Sequence, residues 1–499
     1  MQTNRKQVTI AMLIATFLAA IEVTIVSTAM PRIASELGGL QFISWVFAAY
    51  LLTSTVTTPI FGKLADLYGR RVVFTVGAAL FLLGSMLSGL AASMHQLIWF
   101  RALQGLGAGG IMPTTFTIIG DIFPYEQRAK VQGWFSSIWG LSGLVGPLVG
   151  GFLVDYVSWR WIFYINVPFG LVSVIMLWIF LHEEGDVRKR KIDYLGVFTF
   201  SIAVASLLFA LSTGGTIYPW GSATIISLLL AGILFLFLFI WVEIKAAEPM
   251  LPLELFKIPS ILVSNLAAFL ASSILIAINV YLPLWVQGVH GRGATGSGLT
   301  LLPMSIGWPI GATIGGRLML RIGPRKTAVM GLILILAGNV SLAFMGEKTP
   351  EWILSAIMLI IGFGFGFSMT VYTVIVQSSV GWNLRGAATA SNTFLRSLGQ
   401  TIGVAVFGTL FNHYMNVFMT GHPRVKNVNL SNLNRLLDPH SIKQIPPAVM
   451  ETMREALVYG LHHIFIILVV ISILTLLFVL RLPSSKPEAV TVSRDLKEA

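Results

Sequence analysis

Apolar residues come in long, almost uninterrupted runs separated by short polar stretches, and this block pattern outweighs any alternation within the runs. A helix that crosses a bilayer needs roughly 20 consecutive apolar residues. Fourteen runs approach that length: 8–30, 42–61, 72–92, 97–119, 131–154, 161–181, 194–211, 222–241, 260–286, 299–320, 327–345, 352–376, 390–411 and 457–480. The pattern predicts an all-α integral membrane protein with 14 spans, and an even count puts both termini on one side. The first run is too long for a cleaved signal peptide and leads directly into a second span, so it reads as a retained helix. Between spans 13 and 14 lies a polar connection, 413–455, with room for one short helix, and a Pro-containing tail follows the last span.

Lys and Arg decide which side the termini take, because they are retained in cytoplasmic loops. The N-terminus, the even-numbered connections and the tail hold 22 of them against 9 on the opposite side, 5 of those 9 in the connection 413–455. Both termini are therefore expected in the cytoplasm, and a bacterial chain of this kind would sit in the cell membrane. Composition agrees: only 11% of the 499 residues are charged and 55% are hydrophobic, whereas a soluble domain is about one-quarter charged. The net charge of +12 is spread over short loops and is not gathered on one soluble face, which removes nucleic acid as a partner. With no cysteine in the chain, disulfides, thiolate metal sites and thiol catalysis are excluded. Neither G-x-x-x-x-G-K-[ST] nor H-E-x-x-H occurs, so no ATP-hydrolysing loop or zinc-protease site is encoded. The expectation is a membrane protein that is not an enzyme, without cofactor or metal, working as a monomer.

The chain repeats itself. Gly62–Arg71 recurs as Gly316–Arg325, 254 residues on, and Gly105-x-Gly107-x-Gly109 recurs as Gly362-x-Gly364-x-Gly366, 257 residues on. Two parallel halves of six helices are one of the repeat arrangements found in secondary transporters. The expected organisation is a six-helix half over 1–185, two extra helices and their linkers over 186–258, a second six-helix half over 259–482 and a cytoplasmic tail over 483–499.

These residues resemble the major facilitator superfamily, and within it the 14-helix drug:proton antiporter branch. The resemblance rests on the first-helix run Leu18–Pro31, the basic turn Gly62–Arg71, Arg101-Ala102-Leu103-Gln104-Gly105, Gly146-Pro147-Leu148-Val149-Gly150-Gly151, and Trp159–Pro168. It implies proton-coupled efflux of hydrophobic or cationic compounds, with the two halves alternating access to a central site. The turn Gly62, Asp66, Gly69, Arg70 and Arg71 would then gate the cytoplasmic side together with Asp121 and Arg128. Gly143, Gly146, Pro147, Gly150 and Gly151 would form the antiporter motif, as hinge or seal. The chain departs from the family in carrying Glu22 where Asp is usual, Leu320 at the repeat position of Asp66, and no acidic residue in span 10. A dedicated exporter of one cargo class, such as a lipid, a metabolite or a tetracycline-like antibiotic, is the alternative on the same fold.

Ionisable residues inside a bilayer are costly and mark function, and Glu22, Arg101 and Arg396 are the clear cases. Glu22 lies on a stripe of small residues at helical spacing, facing the bundle. Counting ~1.5 Å of rise per residue, Glu22 and Arg101 fall within an arginine's reach of each other. Burial disfavours a charged carboxyl and a nearby cation favours it, so a pair of changing length would bind and release a proton. Asn392, Arg396 and Gln400, four residues apart, give span 13 one polar face and a possible cavity wall. Trp45, Tyr50, Met112, Trp139, Tyr164 and Phe394 are aromatic or thioether side chains of the kind that receive aromatic cations.

Overall fold

A computed structural model of the chain describes residues 3–123, 125–183, 194–214, 218–246, 253–380, 385–421 and 447–482. Long helices run back and forth: α1 (Arg5–Leu37), α2 (Ile43–Tyr68), α3 (Arg70–Leu90), α4 (Met94–Ile122), α5 (Tyr125–Tyr156), the single turn α6 (Trp161–Tyr164) and α7 (Asn166–Phe180). They continue as α8 (Tyr194–Thr213), α9 (Ala223–Lys245), α10 (Pro259–Gly288), α11 (Ala294–Ile322), α12 (Pro324–Ala343), α13 (Glu351–Ser378), α14 (Arg385–Gly421) and α15 (Pro447–Val479). Eleven of the described helices are long and apolar enough to cross a membrane. The predicted sixth span is broken at Ile165 into α6 and α7.

Glycines bring the helices together. Spaced by two, they point to opposite faces of a helix, and α4 uses this to touch two neighbours at once. A Cβ on Gly105 would lie 2.3 Å from the Tyr50 carbonyl oxygen of α2, and one on Gly107 would lie 2.2 Å from the Phe81 nitrogen of α3. The second copy does the same: Gly362 abuts the Met304 carbonyl oxygen of α11 and Gly364 the Gly331 carbonyl oxygen of α12. Such close packing by small residues is how membrane helices associate where lipid supplies no hydrophobic drive. The repeated basic turn also has the same backbone twice, with Gly69 at φ 87 and Gly323 at φ 88, a region that only glycine enters without strain.

Helices α1–α7 pack as one group and α10–α15 as another. We call the end of the bundle that holds Asn4 and Gly69 the near end, and the other the far end. The described hydrogen bonds between the groups all lie in the far half: Gln287 Nε2 donates to the Thr28 carbonyl (2.9 Å), Asn412 Nδ2 to the Gln41 carbonyl (2.9 Å), and Ser305 Oγ to the Gly143 carbonyl (2.5 Å). The deepest sits midway, where the Thr55 and Thr401 hydroxyls are 3.5 Å apart. Helix α8 lies against the seam between α2 and α14, through Trp45 on Phe209, Phe200 on Phe394 and a bond from Thr409 Oγ1 to the Leu211 carbonyl, and α9 packs on α8, with Phe239 on Phe200. An apolar cavity of about 300 Å³ opens there, between Trp45, Leu52, Phe209 and Leu228.

Helices α14 and α15 overrun their apolar blocks, to Gly421 and from Pro447. Their ends pack on each other, with Tyr414 stacked on His463 at 4.0 Å and Phe418 against Tyr459 at 5.4 Å, so pairing extends them where hydropathy stops. The short helix expected in the connection between them lies outside the described residues.

Replacing Gly107 by Ala should lower stability by about 1–3 kcal/mol, the usual range for overpacking, because the new methyl meets the backbone of α3 at both Gly77 and Phe81. Ala in place of Gly316, which has no neighbour within 4 Å, should leave stability unchanged or raise it. Thermal unfolding of the two variants in detergent separates these outcomes.

Candidate functional site

Three helices converge on a carboxylate. Glu22 of α1 and Arg101 of α4 are both wholly buried and form a direct ion pair through Oε1 and Nη1. The same Nη1 donates to Gln104 Oε1 at 2.7 Å, one turn along α4. The other carboxylate oxygen, Oε2, accepts from Asn166 Nδ2 at 2.8 Å, and that amide also donates to Ser85 Oγ of α3 at 3.0 Å. Ser85 in turn donates to the Phe163 carbonyl at 2.8 Å. The Tyr50 ring lies 4.2 Å from the guanidinium carbon, placing its negative face against the cation. The remaining guanidinium nitrogens, Nε and Nη2, are buried without a hydrogen-bond partner among the described residues.

Local sequence explains each placement. The small stripe of α1, Ala11, Ala15, Ala19, Val26 and Ala29, is buried and admits neighbouring helices beside Glu22. Asn166 is the first residue of α7, and Pro168 two positions later falls in the first turn, where a missing N–H costs nothing. From this first turn the Asn166 amide reaches the buried carboxylate. Asn166, Ser85 and Gln104 were not singled out from sequence, although Asn166 and Gln104 both lie in stretches that carry the family resemblance; their amides are uncharged and drew no notice.

The antiporter-motif glycines of α5 divide between two partners. A Cβ on Gly146 would strike Thr24 Oγ1 of α1 at 2.1 Å, and one on Gly150 would strike Thr28 Oγ1 at 2.5 Å. Gly143 faces Ser305, Gly151 faces the Thr295 backbone at 2.5 Å, and the Pro147 carbonyl oxygen lies 2.2 Å from where Gly298 would carry a Cβ. The motif therefore seats α5 against the helix that holds Glu22 and, across the groups, against α11.

At the near end, Arg70 Nε pairs with Asp121 Oδ2 at 2.8 Å. The Asp66 and Arg128 side chains lie outside the described residues, as does that of Lys63. The backbone N–H groups of Arg70 and Arg71 both donate to Glu183 Oε1, at 2.7 and 3.0 Å, so a glutamate missed from sequence caps α3. Gly69 leaves the space for it: a Cβ there would be 2.7 Å from Glu183 Oε2. Arg71 lies over the Trp178 ring at 3.8 Å. Gly62 sits inside α2 with nothing near it.

The expected cavity residues do not form one cluster. Tyr50 belongs to the ion-pair site, and Trp139 is 49% exposed while Met112 is half-buried. Asn392 Nδ2 donates to Asn265 Oδ1 of α10 at 2.8 Å, and Asn265 Nδ2 donates to Ser391 Oγ at 3.3 Å. Arg396 and Gln400 are half-buried on the same helix.

The model of the Major Facilitator Superfamily matches residues 12–194 and 188–404. Multidrug resistance protein 3 of Bacillus subtilis (strain 168) is 36% identical over 488 residues, covering 96% of this chain and 95% of that protein. Multidrug transporter protein MdtP of the same organism is 37% identical over 488 residues, covering 93% and 90%. Among solved structures, a bacterial homolog of the human lysosomal transporter Spinster, inward-facing and unoccupied, superposes with a TM-score of 0.71 at 16% identity, covering 95% of this chain and 96% of that one.

Removing one member of a buried ion pair costs about 3–5 kcal/mol. Arg101→Met should destabilise the protein by that order, and adding Glu22→Gln to it should recover much of the loss. Melting of the two single variants and the double variant yields the coupling directly.

Proposed function

The chain belongs to the major facilitator superfamily, and from that premise we propose that it is a proton-coupled antiporter that expels hydrophobic or cationic compounds from the cytoplasm. The observation that carries this reading is the buried carboxylate of Glu22, held by Arg101 and Asn166. An acid kept inside the bilayer is costly, and here every contact to it comes from another helix. A change in helix positions therefore changes whether Glu22 keeps a cation beside it, and with it whether the carboxyl holds a proton. Glu22 is the proton carrier, Arg101 its tuner and Asn166 the group that keeps Oε2 oriented.

In this reading the near end faces the cytoplasm, as the Lys and Arg distribution supports. The fourteen spans place both termini there, with α8 and α9 as the extra pair between two six-helix halves in the cell membrane. The described hydrogen bonds between the groups, which run from the midpoint to the far end, correspond to a state open to the cytoplasm, ready to take cargo. The Arg70–Asp121 pair with its Glu183 cap stiffens the cytoplasmic turn, and the α5 glycines seal the outside. Polar side chains of α14, from Asn392 to Gln400, supply hydrogen bonds to cargo. The multidrug and efflux names carried by relatives support a small-molecule cargo, and a monomer is sufficient for every step.

Ethidium flux in proteoliposomes under an imposed pH gradient tests this. The native chain should move the dye only with the gradient, Glu22→Gln should fall to the leak of empty liposomes, and Asn166→Ala should transport with an altered pH profile. A folded native protein that moves no ethidium would instead favour an exporter dedicated to one cargo, with lipids and tetracyclines next in line. Normal pumping by Glu22→Gln would remove the carrier role.

A further inference from the structure

One carboxylate joins the two groups at the far end, outside the motif and the ion-pair site. Asp155, near the end of α5, accepts the N–H of Ala294 through Oδ1 at 3.0 Å and the N–H of Thr295 through Oδ2 at 2.8 Å. These are the first two N–H groups of α11, which have no partner within their own helix and sit at its positive pole. The N-cap position itself is Gly293, which offers no side chain to them. Asp155 lies four residues beyond Gly151, hence on the same face of α5, and Gly151 is what lets the α5 backbone come close enough to Thr295. Helix α5 thus brings a cap to a helix of the other group. Glu183 does the same chemistry at the near end, but it caps α3 within one group and so does not tie the groups together.

We propose that Asp155 is a positioning residue, an outer latch: its carboxylate supplies the missing cap of α11 from across the interface, and opening to the outside must break both bonds. The inference rests on the alternating-access reading above. The latch holds the closed outer side with a charge-to-helix contact that lapses once α5 and α11 separate.

The chain lacks cysteine, so nitroxides can be attached at Ala92→Cys and Lys348→Cys alone, on far-end loops of the two groups, and their separation measured by pulsed EPR in liposomes. Removing a capping Asp should raise the outward-open population roughly two- to thirtyfold, so Asp155→Ala should show that rise. Asp155→Asn, which keeps an acceptor but loses the charge, should show a smaller one. Ala294→Pro removes one donor without touching Asp155; proline suits the first helical position, and Gly293 at φ −71, ψ 174 already has the conformation that precedes it. That variant should also favour the open state, and it carries the test if Asp155→Ala fails to fold. Distance distributions in the folded variants equal to the native one would overturn the latch. The distances need neither cargo nor gradient, so this outcome is independent of whether the native chain moves ethidium.

Discussion

A carboxylate inside a membrane must receive all its partners from the protein, since hydrocarbon offers none. Glu22 meets that constraint with four helices: its own, α4 for Arg101, α7 for Asn166 and α3 for the serine that supports Asn166. The first seven helices are arranged so that these groups converge. Paired glycines bring α4 against α2 and α3, which sets the depth at which Arg101 enters. Asn166 reaches the carboxylate from the first turn of α7.

The two groups share a backbone plan and differ in chemistry. Glycines at equivalent places make equivalent helix crossings, and the two basic turns share a positive φ at Gly69 and Gly323. Yet the repeat places Met358 where the first group has Arg101 and Ile361 where it has Gln104, and both are buried. The second group keeps amides instead, Asn265 against Asn392. The buried ion pair lies in the first group, while the second pairs amides and holds Arg396 half-buried on α14.

Carboxylates at helix starts perform a second task. An uncapped helix N-terminus leaves N–H groups in need of acceptors; Asp155 supplies them from α5 and Glu183 from the segment that follows α7. In each case a glycine clears the approach: Gly69 beside Glu183, Gly151 beside Thr295. Small residues and acidic caps therefore work as pairs, one permitting contact and the other fastening it.

Helix order, the duplicated turn, the buried acid and the glycine motif were legible in the residues, because hydropathy, charge and missing side chains act locally and leave a local mark; against fourteen expected spans, eleven described helices are long and apolar enough to cross a membrane. The pairing of Glu22 with Arg101 was within reach of arithmetic on helix rise. Its uncharged partners were not: Asn166 and Ser85 come 144 and 63 residues after Glu22, and an amide or hydroxyl looks the same in sequence whether it holds a carboxylate or faces solvent. Arg70 likewise pairs with Asp121, with Glu183 on the adjoining backbone, and both acids are distant in the chain. The expected aromatic pocket dispersed because helical spacing ranks faces without saying what each face meets. Local composition by itself determined which segments span the membrane and which residues are too costly to be idle; only the tertiary structure decided what those residues touch, because the choice of partner depends on how distant helices cross.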